Sequence, residues 1–277
     1  MPVPLLRAAN SRHVQPLPDP WPALAASKYE VQFLPGAFMM LAGPPGAGKT
    51  FLALDAALKM NCPTLYLSCD SDESTMVVRA AAAVTKHQQR QVRESLKRGM
   101  FKEVYGDHLR GTNIRLDFEP SNPTMQDLGH IFECYFEIEG RYPALTILDN
   151  VMNLEADSDN EWAAMRRSAK ELHWLARKTK TCFLALHHTQ EPDKDWLYKA
   201  QPRSAIQGKI SQLCSVIMTM ATNGYEMFVA VVKQRAGQSD PGALHPIRFT
   251  CDLSRAQIWD EPEMVRRQRE NQGGKDI

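Results

Sequence analysis

The chain has 277 residues, 43% of them hydrophobic, with a formal net charge of +1. That length suits one large α/β domain with short appendages. The near-neutral balance excludes a protein that coats nucleic acid with its whole surface, so any such contact must come from a local patch.

The N-terminal segment carries Pro2, Pro4, Pro16, Pro18, Pro20 and Pro22. Prolines at this density oppose both helix and sheet interior. Residues 1–30 therefore read as an extended arm, either a free tail or an arm that packs on a neighbouring subunit. From Phe38 the pattern changes. Phe38–Ala42 is a short apolar run, as expected of a strand buried on both faces. A glycine-rich loop follows, then a helical run over Phe51–Leu58. Thr64–Ser68 reads as a second strand. Helices are expected over Glu73–Thr85 and Gln88–Arg98, short strands over Phe101–Tyr105 and Ile114–Phe118, and a helix over Met125–Glu139. Ala144–Asp149 is a third strong strand, Glu161–Lys178 an amphipathic helix and Cys182–Leu186 a fourth strong strand. A polar stretch, Thr189–Lys209, precedes further strands at Leu213–Met220, Met227–Val232, Pro246–Thr250 and Ala256–Trp259. The tail after Glu261 is charged. Strands alternating with helices imply an α/β fold, a mainly parallel central sheet with helices on both faces. The expected organisation is an arm at 1–30, a principal domain at 31–260 and a flexible tail at 261–277.

The six cysteines, Cys62, Cys69, Cys134, Cys182, Cys214 and Cys251, form no C-x-x-C pair. They read as reduced thiols in a reducing compartment rather than a zinc site. No signal peptide is visible and no apolar run approaches the ~20 residues that cross a bilayer. The expected location is the cytoplasm, with no membrane partner.

Gly43-Pro44-Pro45-Gly46-Ala47-Gly48-Lys49-Thr50 matches G-x-x-x-x-G-K-[ST] throughout, between an apolar strand and a helix. Glycines let backbone N–H groups curl around phosphate oxygens, and the following helix points its positive end at the same anion. Lys49 supplies a full charge to the β/γ oxygens, and the Thr50 hydroxyl can ligate Mg²⁺. The candidate nucleotide contacts are Gly43, Pro44, Pro45, Gly46, Ala47, Gly48, Lys49, Thr50 and Phe51, for ATP or another NTP with Mg²⁺. A second acid for the metal is Asp149, at the end of Leu145–Leu148, where a parallel strand delivers its last side chain to the ligand edge. A group to orient the attacking water is Asp70, which directly follows the second strand, with Glu73 as the other candidate. Asp72 and Glu73 could equally cap the next helix. His187-His188 closes the fourth strand. One of the two could sense the γ-phosphate, whereas adjacent strand residues face opposite ways and cannot easily share one metal.

These pieces, in this order, resemble the RecA-like ATPase core of DnaB-type hexameric replicative helicases, in particular the phage-encoded branch. Leu67-Ser68-Cys69-Asp70 followed by Arg79 looks like the second-strand motif, in which an acid is the catalytic base. Ile147-Leu148-Asp149-Asn150 looks like the Walker B segment, and His188–Lys194 like the phage histidine sensor segment. Val232-Lys233-Gln234-Arg235 resembles the K-x-R element, whose arginine enters the neighbouring subunit's ATP site. The resemblance covers about residues 30–260. It implies catalytic roles for Asp70 or Glu73, His188, Lys233 and Arg235, a homo-oligomer that is a hexameric ring, and single-stranded or branched DNA as partner. A monomer would then hydrolyse poorly. Two departures stand out. The usual base is glutamate where Asp70 stands, and the N-terminal domain of full helicases has no room here. Lys194, Lys199, Arg203 and Lys209, with Trp196 and Tyr198 among them, fall where the family's loops grip single-stranded backbone. Arg266, Arg267 and Arg269 form a second basic patch. The expected function is an ATP-dependent motor on DNA, using ATP or dTTP. The alternatives are a metal-dependent DNA nuclease, with Asp70, Asp72, Glu73 and Asp149 around the ion, and an ATP-switched recombination mediator.

Overall fold

The apolar runs become strands because a parallel sheet covered on both faces needs side chains that are buried whichever way they point. The computed structural model describes residues 14–119, 122–155, 161–196 and 198–260. β1 (Phe38–Gly43), β2 (Thr64–Ser68) and β4 (Leu145–Asp149) are buried at every position. With β3 (Ile114–Asp117), β5 (Cys182–His188), β6 (Val216–Thr222), β7 (Glu226–Gln234), β8 (Ile247–Asp252) and β9 (Gln257–Trp259) they form one sheet, ordered β3-β2-β4-β5-β1-β6-β7-β8-β9. Strands β1 to β6 pair in parallel, and β7 to β9 add on antiparallel.

The two faces carry separate cores. Met39 and Leu41 of β1 meet Leu52 and Ala56 of the helix that follows the glycine loop, Lys49–Met60 (α2). Phe38 and Met40 meet Phe132 of Met125–Glu139 (α6) and Leu172 of Glu161–Thr179 (α7). A third cluster joins α3 (Glu73–Thr85), α4 (Gln89–Lys97) and α5 (Phe101–Arg110) through Val78, Val92 and Tyr105.

The structure corrects one expected strand. Phe101–Tyr105 is the start of α5, because Phe101, Tyr105 and Leu109 fall on one helical face and pack together on that third cluster. A strand there would have put charged Glu103 on the same face as both rings.

The N-terminal segment also differs from an extended arm. Trp21, Leu24, Tyr29, Val31 and Phe33 are buried in the same core as β1, with a short helix at Pro22–Ala25 (α1). Trp21 Nε1 donates to Asp55 Oδ2 at 2.8 Å, and the Ala23 N–H donates to Asp260 Oδ2 at 2.7 Å. The prolines keep this stretch out of the sheet, but its aromatic residues carry too much apolar surface to stay in water. From Leu17, whose N–H donates to the Phe33 carbonyl, the segment belongs to the folded unit. Residues 1–13 and the tail, with Arg266, Arg267 and Arg269, lie outside the described residues.

Candidate nucleotide and metal site

At the C-terminal tip of β1 the chain turns through the glycine loop into α2. Gly46 and Gly48 take positive φ of 75° and 88°, where L side chains are strained. A Cβ on Gly43 would sit 2.8 Å from the Met220 carbonyl oxygen, so β6 packs against the loop only because that residue is glycine. Around Gly46 the space is open. Beside the loop lies a cleft of about 380 Å³, bounded by Pro44, Pro45, Gly46, Ala47, Glu191, Pro192, Tyr198, Ala221 and Thr222.

Lys49 is buried, and its Nζ donates to the carbonyls of Gly43 and Pro44 at 3.0 and 3.1 Å. Burial pulls its pKa down, opposed by the charges of Asp149 and Asp70. The Thr50 hydroxyl donates to Asp149 Oδ2 at 2.7 Å, and the Tyr66 hydroxyl donates to the same oxygen at 3.0 Å. Burial raises the pKa of Asp149, and these two hydrogen bonds oppose the shift. The buried Tyr66 phenol is itself pushed well above the usual tyrosine range, so it remains a donor. The Phe51 ring lies under the Arg79 guanidinium, 4.9 Å from the ring centre, and Arg79 also donates to Ser71 Oγ at 3.2 Å.

The tips of β2, β4, β5 and β1 lie side by side, and a polar chain runs across them. Asn150 Nδ2 donates to Asp70 Oδ2 and lies 3.2 Å from His188 Nε2, while His188 Nδ1 lies 3.4 Å from Lys49 Nζ. Asn150 Oδ1 accepts from the Met152 N–H at 2.7 Å, which fixes the amide's orientation. His188 is held neutral, with burial and then the Lys49 charge lowering its pKa. Asp70 and Glu73 are both exposed. Glu73 opens α3, and Asp72 caps that helix, accepting from the Thr75 N–H at 2.9 Å. Three donors, Ser74 Oγ first, hold the Asp72 carboxyl well below the usual range. That commits Asp72 to the cap.

His187 points the other way. It is fully buried, its Nε2 donates to the Gln207 carbonyl at 3.0 Å, and its Nδ1 has no partner among the described residues. Burial lowers its pKa to about 4. An unfolded chain takes up this proton near pH 6.5. The stability this neutral ring contributes is therefore full above about pH 6.5 and lost as pH falls towards 4. The loss amounts to about 3 kcal/mol. Thermal unfolding between pH 7 and 4 should show the wild type losing stability more steeply than a His187→Gln variant, and parallel curves would refute this.

Lys233 and Arg235 turn out to be far from this tip. Lys233 Nζ donates to the carbonyls of Ser211 and Gln212 at 2.6 and 2.9 Å, and the Arg235 guanidinium donates to those of Gln212 and Leu213, both at 3.0 Å. The Arg235 N–H donates to the Ser215 carbonyl, and the Ser215 N–H to that of Phe38, the first residue of β1. The glycine loop begins five residues further along β1, roughly 16 Å away at 3.3 Å per residue. Arg235 cannot reach its own chain's loop.

Of the basic residues after β5, Lys194 and Lys199 are exposed and Arg203 is half-buried. The Lys199 ammonium lies 6.0 Å from the Trp196 ring centre. The Lys209 side chain lies outside the described residues.

Residues 26–194, more than half of the sequence, match the family described as AAA domain. The chain belongs to the AAA domain family. Within it, this AAA protein is 29% identical over 234 residues to the Gene 65 protein of Mycobacterium phage L5, covering 82% of this chain and 86% of that one. It is 28% identical over 211 residues to the Gene 65 protein of Mycobacterium phage D29, covering 73% and 90%. Among solved structures it resembles a DnaB-like replicative helicase studied with primase, with TM-score 0.76 and 13% identity. That match covers 91% of this chain but only 63% of the helicase. A second solved structure, itself described as an ATPase domain, matches with TM-score 0.74 and 13% identity over 93% and 95% of the two chains. The RadB recombinase matches with TM-score 0.56 and 15% identity over 87% and 97%. The fold is like that of the RecA-like ATPase core of DnaB-type helicases, as the sequence resemblance implies. Among the described residues no helix is long and apolar enough to cross a membrane.

The AAA site fits a nucleotide and its metal. Open space at Gly46, a lysine now satisfied by loop carbonyls, and a hydroxyl–carboxylate pair at Thr50 and Asp149 form a suitable donor set. Sequence reading missed Asn150 and Tyr66 as site members. The signal for Asn150 was its place directly after Asp149, and for Tyr66 a phenol hydroxyl between Leu65 and Leu67 in the middle of a strand.

Proposed function

We propose that the protein is an ATP-dependent motor on DNA, hydrolysing ATP or dTTP at sites shared between subunits of a ring, in the cytoplasm of the cell in which it works. The observation that carries this reading is the continuous chain from Lys49 through His188 and Asn150 to Asp70, laid across adjacent strand tips. It couples the phosphate-binding lysine to an exposed carboxylate through two neutral side chains. In this mechanism Lys49 leaves the Gly43 and Pro44 carbonyls for the β/γ oxygens of the substrate. Thr50, backed by Asp149, would hold Mg²⁺, which supplies charge neutralisation on the phosphates when bound. Asp70 orients the attacking water and accepts its proton. Being one methylene shorter than glutamate, it depends on Asn150 to fix its position. Glu73, on the first turn of α3, is the second candidate for that role. His188, held neutral, reports the occupancy of Lys49 to Asn150 and Asp70. Arg235, with Lys233 beside it, serves the neighbouring subunit's site. Lys194, Lys199, Arg203 and Lys209 grip single-stranded backbone, with Trp196 and Tyr198 available for stacking. In this organisation the folded unit from Leu17 to Asp260 forms the motor.

The test is NTP turnover with and without single-stranded DNA. A rise of roughly tenfold or more on adding DNA is expected of a translocating motor whose sites close on the strand. Turnover that ignores DNA would favour a second reading, an ATP-switched recombination mediator, for which the likeness to the RadB recombinase speaks.

A further inference from the structure

Charge is unevenly spread over this chain. Residues 86–103 hold six basic side chains, Lys86, Arg90, Arg93, Lys97, Arg98 and Lys102, against two carboxylates, Glu94 and Glu103. This short stretch is therefore strongly positive in a chain whose total is only +1. All six are exposed. Of the six, only Arg98 is ion-paired to a described residue, to Glu94 at 2.9 Å, while Arg93 donates to the neutral Gln89 amide at 3.3 Å.

The helix α4 arranges this charge. Arg90, Arg93 and Lys97 stand at positions i, i+3 and i+7, on one face. They span about 10 Å of helix axis. The helix is anchored by Val92, buried on its far side in the third core cluster, and by Gln89 Nε2, at the edge of the stripe, which donates to the Leu253 carbonyl at 2.6 Å. The basic stripe is thus presented outward on a fixed helix rather than on a loop.

We infer that this face of α4 is a second nucleic-acid contact, one that binds the paired phosphate backbone of duplex DNA. The inference rests on the DNA-acting reading above and adds to it. Over 10 Å of its axis a duplex presents about six phosphates, about three on each strand, so the three cations of the stripe match the phosphates of one of its paired strands. A single strand is gripped by basic groups together with exposed rings on which bases stack, and the stripe has none. Phe101 is half-buried with its ring centre 5.3 Å from that of Tyr105, which is itself buried. Rings accompany lysines instead on the loop that carries Lys194 and Lys199, where Tyr198 is exposed and Trp196 half-buried. The two surfaces divide the substrate between them, with unpaired strand at that loop and paired strand at α4, as a fork or branched junction requires.

The experiment compares the wild type with a combined Arg90→Gln, Arg93→Gln and Lys97→Gln variant, which keeps helix-forming side chains and touches no residue of the nucleotide site. Binding of a blunt 20-base-pair duplex and of a single-stranded oligonucleotide is followed by fluorescence anisotropy across a salt series. The expected result is at least a tenfold loss of duplex affinity at 0.1 M salt. The slope of log affinity against log salt should fall by about 2 to 3. Single-strand affinity and basal NTP turnover should be unchanged. Unchanged duplex binding would overturn the inference and leave the face to an acidic protein, a second copy of this chain, or solvent. An equal loss for both forms would overturn it as well, since that reports general charge rather than a duplex contact. Wild-type protein that binds neither form would overturn this inference and the DNA-acting reading together, whereas wild-type binding of single strand alone would remove only this one.

Discussion

Replacing Lys49 with alanine is expected to lower NTP turnover by roughly 10²–10³-fold, the usual cost of losing one donor aimed at developing charge. The fold should survive. Lys49 is a buried amine whose charge is already disfavoured by its surroundings, and its partners in the free protein are two loop carbonyls. Steady-state turnover alongside circular dichroism checks both halves of this expectation. Turnover at the wild-type rate in a folded variant would remove the phosphate cradle from the mechanism.

Replacing Arg235 with alanine should cost more, roughly 10³-fold or greater, the range found for arginines that stabilise a transferring phosphoryl group from a neighbouring subunit. The structure makes the test sharper than a single rate. Arg235 sits at the far end of the sheet from its own glycine loop, so a contribution to catalysis has to be made in another subunit. Lys49→Ala and Arg235→Ala chains are then each inactive alone but complementary. A one-to-one mixture should recover about one quarter of the wild-type rate, the chance that random assembly joins an intact loop to an intact arginine. A mixture as inactive as its components would show that no site is shared.

The fold was legible in the sequence wherever one stretch of chain carried its own signal. β1, the glycine loop and α2 are contiguous, and the run ending at Asp149 announces a buried strand with an acid at its tip. Where two periods compete over a few residues the signal fails. Phe101–Tyr105 has rings at a spacing that suits a helix and a strand alike, and only the shared cluster with Val78 and Val92 decides for the helix. The candidate site divides in the same way. Thr50 and Asp149 could be paired from motif logic alone. The chain through Asn150 could not, because it needs β2, β4, β5 and β1 to be neighbours in that order, which is a property of the sheet. The remoteness of Arg235 from its own loop likewise depends on the β6–β7 register. Trp21 and Tyr29 were obscured by the prolines around them, which describe the path of the backbone and not what its side chains cover.

The position of β1 governs when this molecule can acquire its cradle during synthesis. Its partners on either side are β5 and β6, the latter ending at Thr222 of 277 residues. By contrast β2, β3 and β4 can pair among themselves once Asp149 has emerged. Long-range parallel pairings of this kind form slowly. A ribosome-bound chain therefore holds the glycine loop without a seat until β6 has emerged, and the capacity to bind a triphosphate arrives as a step once Thr222 has been made.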